Sequence, residues 1–177
     1  MMPALTFAQL QKRTRYELLS DEQALCMDHV LGITTVRQAE RSRERRYPLH
    51  RQLREAAMRY FKDNAWDVVP HGIGVWGAKK AMADFAIAKG RKIVLVECLT
   101  PSWVYYQNAK NKKRLERFFP LWFVLEDPAV SGDINYRHRV ERLARKNRVF
   151  LWAPGRSLTA ASWRMRAKVA RLGSSRH

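Results

Sequence analysis

Residues 72–100, GIGVWGAKKAMADFAIAKGRKIVLVECLT, admit two readings, and the choice between them decides the fold. Gly72, Gly74 and Gly77 spell GxGxxG, and Glu97 lies 20 residues beyond Gly77. That is the dinucleotide-binding fingerprint with its ribose-holding acid at the expected spacing, and Ala78–Lys89 would then be the helix of a βαβ unit. Three features oppose it. Pro70 and His71 interrupt the strand that should run apolar into Gly72, Asp84 would fall inside a short helix without a role, and so basic a chain is an odd host for such a site. The other reading makes Met82–Ala88 a strand, turned at Lys89–Arg91 into the apolar run Ile93–Cys98. Side chains then alternate, with Asp84, Ala86 and Ala88 on one face and Ala83, Phe85 and Ile87 on the other. Asp84 and Glu97, on adjacent strands, can converge and share a divalent cation. Mg²⁺ (or Mn²⁺) takes oxygen ligands of this kind and can polarise a phosphodiester and activate water.

Outward from this hairpin, residues 49–65 form an amphipathic helix with Leu53, Ala56, Ala57, Tyr60 and Phe61 on one face, followed by a short apolar segment at Trp66–Val69. Downstream, Pro101 and Ser102 lead into a helix from about Trp103 to Phe118. Leu121–Leu125 is a buried strand, Tyr136–Lys146 a basic helix, Val149–Trp152 a last strand and Leu158–Leu172 a closing helix. Upstream, Ser20 before Asp21, Glu22 and Gln23 is a helix start, a cap followed by acids in the first turn. A second helix from Thr34 or Thr35 to Arg46 gives a weak helix-turn-helix pattern around Gly32. The chain therefore divides into a helical N-terminal extension (1–47), an α/β core (48–153) and a basic C-terminal helix and tail (154–177). The expected fold is a central mixed β-sheet flanked by helices.

Lys and Arg number 34 against 16 Asp and Glu, a net charge of +18. The imbalance grows along the chain: 8 basic and 6 acidic residues in 1–47, 20 and 10 in 48–153, 6 and none in 154–177. A polyanion is the natural partner, because each cation placed on a phosphate releases a condensed counterion. With 46% apolar residues the chain can bury a core, so it is no disordered basic tail. Two cysteines, Cys26 and Cys98, argue against a disulfide framework and fit a reducing compartment. Met1–Leu10 lacks a signal-peptide pattern, and the longest apolar run, Phe118–Leu125, is broken by Pro120 and too short to span a bilayer. A cytoplasmic, nucleoid-associated protein without a membrane partner is expected.

The order of a helix bearing Glu55, a strand, a strand bearing Asp84, a strand bearing Glu97, a helix and a strand resembles the restriction-endonuclease-like nucleases, whose motif is written PD-(D/E)xK. The resemblance runs from about His50 to Trp152. It implies a metal-dependent endonuclease core that hydrolyses phosphodiester bonds, with Asp84 and Glu97 as metal ligands and Glu55 as an auxiliary acid. Nucleases of this kind often work as dimers, which leaves a homodimer open. Ala83 replaces the motif's proline, and Leu99 stands where its lysine should be. Lys112 or Gln107, on the following helix, could supply the missing group. If neither does, the site is degenerate and the protein binds without cutting. The segment Val96–Thr100, with the basic helix and strand beyond it, also looks like plasmid replication-relaxation and mobile-element proteins, which join a winged-helix-like N-terminus to a nuclease-like core. A dinucleotide-binding Rossmann protein is the further alternative.

Phosphate contacts, to DNA rather than RNA, are expected from three basic clusters. The first is Arg41, Arg43, Arg45 and Arg46. The second is Lys110, Lys113, Arg114 and Arg117. The third is Arg137, Arg139, Arg142, Arg145 and Lys146, with Arg148 just after them. Trp103, Tyr105 and Tyr106 lie near the second cluster and could stack on bases. Of the histidines, His29, His50, His71, His138 and His177, none shows metal-ligand spacing, and only His71 sits near the expected acids.

Overall fold

The computed structural model describes residues 5–20, 23, 48–70, 72–76, 81–101 and 114–161. The elements in chain order are α1 (Phe7–Lys12), β1 (Leu18–Ser20), α2 (Pro48–Asp63), β2 (Asp67–Val69), β3 (Ile73–Val75), β4 (Met82–Ala83), β5 (Phe85–Lys89) and β6 (Lys92–Leu99). A 3₁₀ turn (Leu115–Arg117) then leads to β7 (Leu121–Glu126), α3 (Pro128–Ser131), α4 (Ile134–Lys146), β8 (Arg148–Trp152) and β9 (Thr159–Ala160). The strands form a mixed six-stranded sheet ordered β2-β5-β6-β7-β8-β9 and a small sheet ordered β1-β3-β4. In the large sheet β6, β7 and β8 run parallel and the remaining pairs are antiparallel. No helix among the described residues is long and apolar enough to cross a membrane.

The hairpin reading of residues 82–99 holds, and the βαβ reading does not. Lys89 pairs with Lys92 across Gly90 and Arg91, and Gly90 sits at φ 60°, the left-handed conformation that two-residue hairpin loops demand. Gly74, the middle glycine of the fingerprint, lies in β3 opposite Met82. A Cβ there would collide with Met82 Sδ and lie 3.2 Å from the Ala81 carbonyl, so the glycine permits close strand approach instead of cradling a phosphate.

The main sheet is buried on both faces. On one, α2 lays Leu53, Ala57 and Phe61 over Val68, Phe85, Ile87, Val94, Val96, Trp122, Val124 and Phe150. On the other, α1 and α4 contribute Leu10, Tyr136 and Val140 over Ala86, Ala88, Ile93, Leu95, Leu99, Phe123 and Leu125. Strands covered on both sides read as continuous apolar runs, which is why Ile93–Val96 and Leu121–Leu125 lack alternation. Phe61 is the hub of the α2 layer. Its ring meets Trp66, Phe85, Trp122 and Phe150 at centroid distances of 5.2–6.5 Å, mostly edge-on or tilted. The shorter elements are set by caps. Thr6 and Gln9 form a capping box on α1, and Asp133 accepts from the amides of Asn135 and Tyr136 at the start of α4. Asp127 caps α3, with Pro128 following it and Gly132, at φ 65°, ending it.

The N-terminal extension is not wholly helical, because β1 pairs with β3 and Leu18 joins the core. Ser20 ends that strand and still makes the expected cap. Its hydroxyl accepts from the Gln23 amide, and the Gln23 side chain accepts from the Ser20 amide. The rest of the helix-turn-helix pattern, including Arg41, Arg43, Arg45 and Arg46, lies outside the described residues. So do residues 102–113 of the helix expected at Trp103–Phe118, while Leu115–Arg117 is a 3₁₀ turn. The closing helix does not start at Leu158. Thr159 and Ala160 form a strand against β8, and Leu158 is buried under α2, so the core extends past residue 153. Leu158 and Ala161 fit a helix by their spacing of three, but the free edge of β8 takes the segment first.

Replacing Phe61 by Ala is expected to cost about 3–5 kcal/mol, the range for removing a core aromatic. Urea titration checks this, the midpoint falling while the slope on denaturant stays unchanged.

Candidate functional site

The site the sequence points to is built where β4 passes into β5. The Asp84 amide donates to the Val96 carbonyl at 3.0 Å, although Val96 is the register partner of Phe85. Two residues thus face one, a β-bulge. The bulge resets the alternation. Ala83 packs in the same core layer as Ala86 and Ala88, not with Phe85 and Ile87 as strict alternation would have it.

The Asp84 carboxylate is brought to the α2 side. Its Oδ2 accepts from the Cys98 amide at 2.7 Å and lies 3.2 Å from His50 Nε2. His50 and Arg54 stand one turn apart on α2, continuing towards its N-terminus the stripe that buries Leu53, Ala57 and Phe61. The Arg54 guanidinium donates to the Pro70 carbonyl, tying α2 to the end of β2. Cys98 is buried between these groups. Burial first, and the Asp84 charge second, push its thiol well above the usual range, with Arg54 opposing. The thiol is therefore a protonated core group.

His50 and Arg54 are the residues that sequence reasoning missed. The available signal was their i, i+4 spacing on the extension of the helix's apolar face, which directs both side chains towards the sheet.

Glu97 is almost fully buried, at 2% exposure. Its neighbours Val96 and Cys98 pack in the α2 layer, while Leu95, Leu99 and its register partner Phe123 pack in the opposite one. Strand alternation directs the Glu97 side chain away from α2, so the two acids expected to converge leave the sheet on different sides. Leu99, at the motif's lysine position, is core. Glu55 is exposed and faces Arg51 at 3.7 Å on the outer side of α2. It takes no part in the cluster. Gln107, Lys112 and His71 lie outside the described residues. Among the described residues no group of three or more His, Cys, Asp or Glu is arranged to hold a metal ion.

Basic residues fall elsewhere. Arg137, Arg139, Arg142, Arg145 and Lys146 are all exposed on α4, whose other face buries Tyr136 and Val140. Arg139, Arg142 and Lys146 follow one another at helical spacing along the outer surface. Arg114 and Arg117 are exposed at the turn before β7, and Lys110 and Lys113 lie outside the described residues. At the far end of β7, Glu126 is buried, and desolvation raises its carboxyl above the usual range.

Asp84→Ala leaves the Cys98 amide without its acceptor and is expected to cost about 1–3 kcal/mol. Asp84→Asn keeps a side-chain oxygen and is expected to cost less, both read by urea titration. A carboxyl whose pKa is raised on folding loses stability as pH climbs through that pKa. Glu126→Gln should therefore be more stable than the parent at neutral pH, and the gap should close as pH falls below the ordinary carboxyl range. Thermal melting across an acid-to-neutral series reads it. If the gap were constant with pH, desolvation of the charge would not be its cause.

No family model, no curated protein and no solved structure matches this chain.

Proposed function

We propose that the chain is a DNA-binding protein on a restriction-endonuclease-like core, and that it binds without metal-dependent cutting. The observation carrying the binding is α4. Five basic side chains face solvent along it, and only Glu141 among its residues is acidic. An amphipathic helix needs a polar outer face, but not one so uniformly positive. In a chain of net charge +18, such a face lowers its own repulsion by meeting a polyanion.

The core type is supported by the order of elements. A helix (α2) precedes three antiparallel strands (β2, β5, β6), and a strand parallel to the last of them (β7) follows. The small sheet and the strand β9 are additions to that order.

The residues present do not fit a Mg²⁺ or Mn²⁺ ion shared by Asp84 and Glu97. One carboxylate oxygen of Asp84 is taken by the Cys98 amide and His50, and Glu97 turns into the opposite layer. A buried Leu99 supplies no charge for a phosphoryl transition state. Asp84 acts here as a clasp between α2 and β6.

Two measurements test the reading together. Fluorescence anisotropy with a labelled duplex is expected to show binding that weakens steeply with salt. Supercoiled plasmid incubated with protein and Mg²⁺ or Mn²⁺ is expected to stay intact. Metal-dependent nicking by the wild type, abolished in the folded Asp84→Asn variant, would restore the endonuclease reading. Absence of any duplex binding at low salt would remove the DNA-binding one.

A further inference from the structure

A second group of cations gathers around two tryptophans of the α2 layer. Lys89 ends β5, Arg91 lies in the turn, Lys92 opens β6 and Arg148 opens β8. Lys89 pairs with Lys92 across the hairpin, and Arg148 pairs with Trp122, so the ring of Trp122 joins Arg148 to the lysines. Beneath them the indoles of Trp66 and Trp122 meet edge to face at 5.4 Å. Lys89 Nζ lies 5.9 Å from the Trp66 ring centre, Lys92 Nζ 5.6 Å from that of Trp122, and Arg148 Cζ 4.5 Å from the same ring. All four cations are exposed, and none pairs with a described carboxylate. Of the acids close in sequence, Asp67 is paired with Arg13, and Asp63 stands exposed at the end of α2.

An aromatic face attracts a cation without neutralising it. Carboxylates would have held these head groups too, but would have cancelled their charge. Held on indoles, the three cations keep defined positions and full charge, an arrangement organised in advance for an anion. The helix α4 packs on the opposite face of the sheet and ends at Lys146, two residues before Arg148. The Asp84 centre meets β6 near its other end, at Val96 and Cys98. Lys92 and Cys98 are six residues apart along the strand, about 20 Å at the usual rise.

We infer that Lys89, Lys92 and Arg148 are phosphate contacts of the DNA interface, so that a duplex lies over these three cations and not over the acid centre. This rests on the DNA-binding reading above. Each cation that takes a phosphate adds about 0.9 to the slope of log affinity on log salt.

The test is the salt dependence of anisotropy with a short labelled duplex, for the wild type and the Lys89→Ala/Lys92→Ala/Arg148→Ala variant. The slope is expected to fall by about 2.7, with a native circular dichroism spectrum retained. The charge-keeping variant Lys89→Arg/Lys92→Arg/Arg148→Lys should keep the wild-type slope. Should the triple alanine variant unfold, Lys89→Ala and Lys92→Ala alone should each lower the slope by about 0.9. A wild type that binds duplex with a slope indifferent to these changes overturns the inference and leaves the DNA-binding reading standing. A wild type that binds no duplex removes both. A slope that changes for a matched RNA duplex, or for phosphatidylglycerol vesicles, and not for DNA also overturns it.

Discussion

The bulge at Asp84 is the constraint on which the arrangement depends. One continuous stretch, residues 82–89, serves two sheets: β4 pairs with β3 in the small one, and β5 with β2 and β6 in the large one. A flat strand cannot do both, because its side chains would keep strict alternation and its ladder would keep one direction. The extra residue bends the strand and resets the parity. Ala83 can then face the α1 and α4 layer, and Phe85 the α2 layer. A bulge leaves a partner-strand amide to be satisfied, and the Asp84 carboxylate meets that of Cys98 at 2.7 Å. The aspartate is thus part of the device that makes the bend, and its approach to His50 fastens α2 to the same point.

Above that point the α2 layer is closed by aromatic packing. Phe61, Phe85, Trp122 and Phe150 interlock at angles that avoid face-to-face stacking, and Trp66 joins at the rim. Small residues in β5, Ala86 and Ala88, let the other face take a tighter covering. This asymmetry, large rings on one side and alanines on the other, distinguishes the two faces of a strand whose sequence is apolar throughout. It also places the two indoles where their faces carry cations while Trp122 packs in the core.

Most of the main sheet was legible in the sequence because buried strands carry long apolar runs between turn signals. Ile93–Cys98, Leu121–Leu125 and Val149–Trp152 each lie within a residue or so of the observed bounds. The hairpin was decided by Gly90 and by the absence of an unbroken strand before Gly72. Strand pairing across distance was not legible. Residues 18–20 read as the approach to a helix, because Ser20 is a true cap, yet Leu18–Ser20 also complete a sheet whose other strands are over 50 residues away. The acids failed for a related reason. Alternation is a local rule, so it set Asp84 and Ala83 on opposite faces correctly but could not foresee a bulge that moves Asp84 towards α2. Nor does a pattern of acids reveal what already occupies them. His50 and Arg54 would have been found by extending the helix stripe by one turn, and Glu55 set aside as its exposed neighbour.

Charge is distributed by the same fold. At the Asp84 end, negative and positive groups meet inside the protein: a carboxylate on an amide and an imidazole, and a guanidinium on a carbonyl. Little is left there to attract an ion from solution. At the opposite end of the strands the cations rest on rings, which hold them without consuming their charge. A chain with twice as many cations as anions must tolerate self-repulsion, and the cheapest relief is to spread positive groups over the surface. Gathering Lys89, Lys92 and Arg148 around two tryptophans does the reverse. A concentration of charge that folding alone would disperse is best accounted for by a partner of opposite sign, and cations paired with no described carboxylate meet a phosphate backbone with no counter-charge to displace first.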